Sequence, residues 1–298
     1  MLAELNRKFG QGEAVKFVAG PNGLPRIDVN TAACTGSVYL HGAHVTHWQK
    51  RGESPVLWMS EKSWFEDAKP IRGGVPICFP WFGPNANNAT LPAHGFVRLK
   101  SWTVQSVTRQ GDDVTIALET KSDEQTLAVW PVRFTLVHRI TFGATLTMSL
   151  ELTNLGGDTL TCEEALHTYF VVSDIKQVRV AGLNGVTFID KMDNKARKPQ
   201  QGEITFTGET DRVYINTCGA TEIIDPALRR KIIISKENSH ATVVWNPWIN
   251  KAKAMPDFGD DEWPGMLCIE TCNAADNALS LAAGAKHIMR AVVSTTAL

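Results

Sequence analysis

Apolar and polar residues alternate in short runs along most of the chain, a pattern typical of half-buried β-strands and not of helices. The clearest runs cover residues 37–40, 114–119, 134–140, 145–152, 178–181, 213–216, 231–235, 242–245 and 266–270. Turn signals that contain glycine with asparagine or aspartate lie between them, at residues 110–113, 156–158 and 183–185. Such turns join antiparallel strands, so the sequence predicts an all-β fold, a large antiparallel β-sandwich.

Nothing in the sequence divides the chain into parts. No stretch is rich enough in glycine, proline or serine to be an interdomain linker, and no repeat period is present. We therefore expect residues 1–298 to form a single domain, because all-β sandwiches can reach this size. Residues 69–95 and 246–264 are long irregular segments, and such loops on a rigid sheet are where binding sites are usually built.

The composition narrows the function classes. Thirty basic and 31 acidic side chains give a formal net charge of −1, so no global field attracts nucleic acid or an anionic membrane. Residues 1–20 mix charges with apolar residues, unlike a secretory signal, and no uncharged apolar run is long enough to span a bilayer. We expect a soluble cytoplasmic protein whose partner is a small molecule. The sequence carries no signal for the oligomeric state.

Two groups of residues have spacings that could suit a metal ion. Cys268 and Cys272 lie in a predicted buried strand, and no second pair of ligands follows them. His41, His44 and His47 lie in what the surrounding residues indicate is a turn and a strand, where residues three apart point to opposite faces. We therefore predict reduced core cysteines, no metal site and no cofactor.

Five residues combine useful chemistry with an unusual position. His167 lies in a run of strand character, and His94 lies between a loop and a predicted strand. Glu270 ends a buried apolar run, where a carboxylate needs a partner or a purpose. Arg72 and Arg98 stand beside glycine-bearing or loop sequence that suits phosphate binding. The residues alone leave open a core histidine, a strand-end salt bridge and structural pairing of either arginine.

Several unrelated motifs occur in one order along most of the chain. They are KPIRGGVPICFPWFG at 69–83, HGFVR at 94–98, HTYF at 167–170, VSDI at 172–175, DK at 190–191, DRVY at 211–214, VVWNPW at 243–248, KAKAMPDFGDD at 251–261 and the glutamate at 270. In this arrangement the chain resembles the aldose 1-epimerase superfamily, and within it the glucose-6-phosphate 1-epimerase branch. The resemblance implies a β-sandwich of the galactose-mutarotase type with a sugar cleft on one sheet.

The resemblance also implies an acid–base reaction. Glu270 corresponds to the general base and His167 to the general acid, which flank the anomeric centre of the sugar. Proton transfer by such a pair opens the ring, and rotation about C1–C2 before closure gives the other anomer. The chemistry uses no metal, nucleotide or electron carrier.

The remaining site residues are implied as substrate ligands. His94 and Asp211 correspond to sugar-binding positions, and His94 could also share the proton transfer. Arg72 and Arg98 match the basic residues of the phosphate-binding branch. The implied substrate is a hexose 6-phosphate, with D-glucose 6-phosphate expected first.

Two alternatives stay open from the sequence. The protein could be a mutarotase for free aldoses, with both arginines serving the fold. It could instead be a sugar-binding protein without turnover, although a binding module has no need of an acid–base pair across the ring. The preferred hexose cannot be read from the sequence, because epimer choice depends on the shape of the cleft.

Overall fold

The structure is a computed structural model that describes residues 1–298, and it confirms the predicted all-β architecture. The helices are α1 (Leu2–Phe9), α2 (Glu124–Val129) and α3 (Trp248–Ala254). The strands are β1 (Val15–Ala19), β2 (Pro25–Asn30), β3 (Cys34–Tyr39), β4 (Val45–Lys50), β5 (Ile77–Cys78), β6 (Thr103–Gln110), β7 (Asp113–Lys121), β8 (Phe134–Phe142), β9 (Leu146–Asn154), β10 (Leu160–Cys162), β11 (Glu164–Leu166), β12 (Tyr169–Val171), β13 (Arg179–Ala181), β14 (Thr187–Asp190), β15 (Ala196–Pro199), β16 (Thr210–Ile215), β17 (Thr221–Asp225), β18 (Arg230–Glu237), β19 (Ala241–Asn246), β20 (Met266–Asn273), β21 (Leu279–Leu281) and β22 (Lys286–Ala297).

Two eight-stranded sheets form the body of the protein. The first, which we call the cleft sheet, has the order β15-β14-β16-β19-β20-β11-β5, and β12 also pairs with β20. The second, the back sheet, has the order β13-β17-β18-β22-β9-β8-β7-β6. A four-stranded sheet of β1 to β4 and the pair β10-β21 complete the fold. All the strand pairs are antiparallel, as the turn signals predicted.

The burial of each strand reflects its place in the sandwich. Strand β8 alternates buried and half-buried positions along its whole length, because one face meets the core and the other meets solvent. Strand β20 is buried at all eight positions, because the core covers one face and the loops around a cleft cover the other. A continuous core of 71 buried hydrophobic residues joins the sheets, which favours the predicted single domain.

The two segments expected to be irregular differ in outcome. Residues 69–95 contain only the short strand β5, whereas residues 246–264 contain helix α3. The strand expected after His94 is absent, and a 3-10 helix, Val97–Leu99, follows instead. His94 and Gly95 both have positive φ, at 65° and 74°, so the chain turns sharply there and does not extend into a strand.

The three α-helices are short, and the longest, α1, has eight residues. No helix of the protein is therefore long and apolar enough to cross a membrane.

Candidate active site

A cavity of about 640 Å³ lies over the cleft sheet, on the face that carries Glu270. Its lining includes all six residues that the sequence singled out as catalytic or substrate-binding: Arg72, His94, Arg98, His167, Asp211 and Glu270. The structure therefore brings together residues that are up to 198 positions apart in the chain.

The register of the cleft sheet places His167 beside Glu270. Strands β11 and β12 pair with β20 in one continuous register, so His167, the first of the two residues between them, stands directly opposite Glu270. Side chains of directly opposed residues are neighbours on the same face of a sheet. The His167 Nε2 atom lies 3.3 Å from Glu270 Oε1, and both side chains are buried.

Burial disfavours charge on both members of this pair. It raises the pKa of Glu270 well above its usual range, with Lys191 opposing and Asp211 adding to the shift. Burial also lowers the pKa of His167 well below its usual range, and nearby positive charges, including that of Arg72, reinforce that shift. Both shifts favour the uncharged forms, a carboxylic acid beside a neutral imidazole.

Each member of the pair also has a buried polar atom without a partner in the protein. These atoms are Glu270 Oε2 and His167 Nδ1. Buried polar atoms are almost always hydrogen-bonded, so exceptions that face a cavity mark positions where a ligand can bind.

A second row of residues crosses the cleft sheet two residues along the strands from the Glu270–His167 pair. Asp211, Trp245, Cys268 and Tyr169 are paired across β16, β19, β20 and β12. The Tyr169 ring stacks on His167 with a centroid distance of 4.9 Å, and the Trp245 ring meets the imidazole edge at 5.9 Å. These aromatic rings restrict the orientation of the imidazole.

Asp211 lies at the far side of the cavity in an ion pair. Its Oδ1 atom is 3.1 Å from Lys191 Nζ, and its side chain is 25% exposed. The ammonium group of Lys191 also lies 4.8 Å from the centre of the Phe82 ring. Both Asp211 and Lys191 line the cavity, where they offer an acceptor and a donor to a hydroxylated ligand.

The two arginines differ in how far the protein already satisfies them. Arg72 contacts Asp257 through Nε and one terminal nitrogen, at 3.2 Å each, and donates to the Tyr169 hydroxyl at 2.9 Å. Arg98 donates to the Ala93 carbonyl at 2.8 Å, and its buried Nε atom has no partner. Burial lowers the pKa of Arg98, which means that its charge is poorly compensated and would be stabilised by an anion.

Lys195 and Lys251 add two more cations to the cavity lining. Both residues are exposed, and they come from the β14–β15 turn and from helix α3. The cavity wall therefore carries a local excess of positive charge, although the whole chain is almost neutral.

The histidines of the 41–47 run have separate structural partners. His41 and His44 bond the carbonyls of Lys69 and Gly73, at 2.7 Å each, and His47 bonds Thr35 at 3.0 Å. None of the three imidazoles lines the cavity.

The two cysteines of β20 do not converge on a common point either. Cys268 and Cys272 lie four residues apart in a strand, which separates their Cα atoms by about 13 Å. Both are buried free thiols, as expected.

Sequence reasoning missed several contributors to the site. Tyr169, Lys191, Trp245 and Asp257 all lie within motifs quoted above, but no role was assigned to them. Lys191 follows Asp190 at the end of a strand, and a lone cation at a strand end is a weak signal. Asp257 could not have been matched with Arg72 from the sequence, because 185 residues separate them.

Comparison with known proteins places the chain in a family. The sequence profile of the family described as Aldose 1-epimerase matches residues 25–293. A protein of Cenchrus ciliaris, provisionally named glucose-6-phosphate 1-epimerase, is 36% identical over 266 residues, which cover 86% of this chain and 80% of that protein. A protein of Escherichia coli strain K12 with the same provisional name is 39% identical over 254 residues, covering 85% and 84%.

Solved structures agree with the sequence comparison. The crystal structure of a provisionally named mutarotase from Salmonella typhimurium has a TM-score of 0.89 and 33% identity, covering 96% of this chain and 94% of that one. A galactose mutarotase-like protein from Clostridium acetobutylicum has a TM-score of 0.73 at 15% identity, covering 95% and 98%. The second likeness concerns the fold alone and agrees with the predicted galactose-mutarotase type. With most of its length matched by sequence and by structure, the chain belongs to the aldose 1-epimerase family.

Proposed function

We propose that the protein is an isomerase that interconverts the α and β anomers of a hexose 6-phosphate, with D-glucose 6-phosphate as substrate. The observation that carries the proposal is the buried pair of Glu270 and His167, 3.3 Å apart, in the same cavity as Arg72 and Arg98. An acid–base pair serves ring opening, and two guanidinium groups suit a phosphate dianion.

Ring opening needs a base at the C1 hydroxyl and an acid at the ring oxygen O5. Glu270 takes the O1 proton as a carboxylate while His167, as an imidazolium, protonates O5 and the C1–O5 bond breaks. The electron pair of the O1–H bond forms the carbonyl, and the C1–O5 electron pair stays with O5. Rotation about C1–C2 presents the other carbonyl face, and the reverse transfers close the ring and restore both side chains.

The proton needed by this scheme is already present in the pair. Transfer across the 3.3 Å contact converts the uncharged pair into a carboxylate and an imidazolium. Burial is the main reason that the pKa of His167 is low, and the charges of Arg72 and Arg98 add to it. A bound phosphate dianion offsets those two charges and so favours the imidazolium form that O5 requires.

The other predicted residues bind the substrate. Asp211, with Lys191, is suited to sugar hydroxyls because it offers a carboxylate acceptor held by an ammonium donor. His94 also lines the cavity, and its ring centre lies 5.5 Å from that of His167. Arg98, whose charge the protein compensates poorly, and Arg72 bind the phosphate from the cavity lining.

The names of the relatives support the choice of substrate. Proteins provisionally named glucose-6-phosphate 1-epimerase match this chain at 36% and 39% identity over most of both chains. We further propose a cytoplasmic location, because all six cysteines are free thiols, as is usual in a reducing compartment.

The proposal is tested by following the anomers of freshly dissolved α-D-glucose 6-phosphate, by polarimetry or by NMR exchange, with active and with heat-inactivated protein. We expect equilibration to accelerate in proportion to active protein, and kcat/KM for glucose 6-phosphate to exceed that for glucose at least about 10-fold. Equal values for the two sugars would support a free-aldose mutarotase. Saturable binding without acceleration would support a sugar-binding protein.

A further inference from the structure

The position of His94 is set by an unusual backbone arrangement. His94 has φ of 65°, a left-handed conformation that non-glycine residues rarely adopt. Its amide donates to the Gly83 carbonyl at 2.7 Å, and its carbonyl accepts from Phe79 at 3.2 Å. A Cβ atom on Gly95 would lie only 1.9 Å from the Phe79 carbonyl oxygen, so the next residue must be glycine for this approach to occur. Such strain is retained where the surrounding structure holds a side chain for a purpose.

Two donors meet one nitrogen of the His94 ring. The Gly83 amide donates to Nδ1 at 3.3 Å, and the Cys78 sulfur lies 3.3 Å from the same atom. An amide N–H can only donate, so Nδ1 carries a lone pair and no proton. Burial raises the pKa of the Cys78 thiol, which therefore keeps its proton and donates as well.

The other ring nitrogen must then carry the proton. Burial lowers the pKa of His94 well below its usual range, so the ring is neutral and its single proton resides on Nε2. His94 lines the cavity, and Nε2 makes no hydrogen bond within the protein. The ring thus presents an N–H donor to the cavity.

We propose that Cys78 is a positioning residue which, with the Gly83 amide, holds His94 as a neutral Nε2–H donor to a sugar oxygen. Cys78 lies on β5, directly opposite Ala165, and its side chain is fully buried beneath the imidazole. This arrangement separates the roles of the two histidines. To relay a proton, His94 would have to accept one at Nδ1, where the Gly83 amide already points, so proton transfer is left to His167 and Glu270.

This inference deepens the proposed function and rests on it for the identity of the acceptor. The tautomer of His94, however, can be measured without turnover. In long-range ¹H–¹⁵N NMR spectra we expect Nδ1 of His94 to give the signal of an unprotonated nitrogen and Nε2 that of a protonated one. A His94→Asn variant assigns the signals.

The decisive variants alter the sulfur alone. Cys78→Ala removes one donor and leaves the Gly83 amide, so we expect the Nε2–H tautomer to remain and the ¹⁵N shift of Nδ1 to change, because that nitrogen loses a hydrogen bond. We also expect kcat/KM for glucose 6-phosphate to fall about 3- to 10-fold, the effect of one neutral hydrogen bond. Cys78→Ser restores a donor, so it should recover both the wild-type Nδ1 shift and most of the activity. Cys34→Ala is the matched control, since Cys34 is an equally buried thiol on β3 of the four-stranded sheet.

The outcomes separate positioning from packing and from the proposed function. If wild-type His94 carries its proton on Nδ1, or if Cys78→Ala leaves both the Nδ1 shift and kcat/KM unchanged, the inference is overturned. If Cys78→Ser fails to recover what Cys78→Ala loses while both variants stay folded by circular dichroism, the thiol acts by packing, and the inference is again overturned. An inactive wild-type protein that shows the expected tautomers would overturn the proposed function instead.

Discussion

The protein contains two pairs of a buried carboxylate with an imidazole, and the pairs lie on opposite faces of the sheet. Glu270 is 1% exposed and lies 3.3 Å from His167, and Glu164 is 0% exposed and lies 2.9 Å from His287. Asn273 stabilises the second pair, because its side-chain amide donates to Glu164 at 2.8 Å. Neither member of the second pair lines the cavity.

Strand alternation explains the difference. Glu164 precedes Ala165 and stands opposite Asn273, so it faces the back sheet, where His287 is the second residue of β22. Glu270 is on the opposite face of the same sheet, over which the cavity and its cations lie. Burial, residue type and distance are therefore poor guides to function by themselves, and convergence on an accessible cavity distinguishes the two pairs.

The sharpest test exchanges each carboxylate for its amide. Glu270→Gln keeps the shape of the side chain but cannot take a proton from O1, so we expect kcat for glucose 6-phosphate to fall by at least about 10²-fold. Glu164→Gln should leave kcat within about 3-fold and should lower the free energy of unfolding by about 1–3 kcal/mol, because it weakens a buried hydrogen-bonded pair. Steady-state kinetics and urea unfolding of both variants measure these effects. Equal losses of kcat would mean that the cavity does not distinguish the pairs.

The imidazoles provide a second comparison. His167→Asn should lower kcat and kcat/KM by about 10²-fold, and kcat/KM by the same factor from the α and from the β anomer, because the enzyme cannot change the equilibrium between them. His287→Asn should leave both rates near wild type. A His167→Asn variant with raised KM and unchanged kcat would make His167 a ligand and not the acid.

Substituting the two arginines that we propose as phosphate ligands should change which sugar is preferred. Arg98→Ala should lower the ratio of kcat/KM for glucose 6-phosphate to that for glucose by roughly 10- to 150-fold, the contribution of a charge-assisted hydrogen bond. For Arg72 the substitution to Lys is better than to Ala, because Ala would leave the buried Asp257 without its cation. Lys keeps the charge but not the two-nitrogen contact, so a smaller fall in the ratio is expected. A wild-type ratio in both variants would favour the free-aldose alternative.

The last comparison is with a buried imidazole that has no carboxylate partner. Its substitution should affect the free energy of unfolding and not turnover. His138 is fully buried, bonds the Ala43 carbonyl at 3.0 Å, and has its pKa lowered to about 4 by burial. The unfolded chain binds this proton more readily, so stability is full above about pH 6.5 and is lost as the pH falls towards 4, by about 3 kcal/mol. His138→Asn should flatten the dependence of unfolding free energy on pH in that window, measured by urea titrations. An unchanged slope would mean that His138 is protonated in the folded state.

The alternation of apolar residues was enough to predict the fold class, because half-exposed strands such as β8 display it fully. The alternation gave no information about which residues contact one another across the sheet. His167 and Glu270 meet because β11, β12 and β20 share one register, and register depends on packing over the whole sheet. The strand expected after His94 was wrong because two left-handed residues in succession turn the chain, and the sequence shows only one glycine there.

The candidate site was predicted as a set of residues but not as a geometry. The resemblance to a family located all six predicted residues, and the structure brings them to one cavity. Which arginine is free could not be foreseen, because the partner of Arg72 lies 185 residues away. The two donors on His94 were also hidden, since Gly83 contributes a backbone amide and Cys78 resembles an ordinary core residue.

The cations of the cavity come from outside the strands, and this has a consequence for how the protein can diversify. Arg72 lies in a bend, Arg98 in a 3-10 helix and Lys251 in α3, whereas Glu270 belongs to a fully buried strand of the cleft sheet. Insertions and substitutions accumulate more readily in such connections than in a central strand. Selection for a different sugar, in nature or in the laboratory, could therefore replace the cations around the cavity while the Glu270–His167 pair stays unchanged.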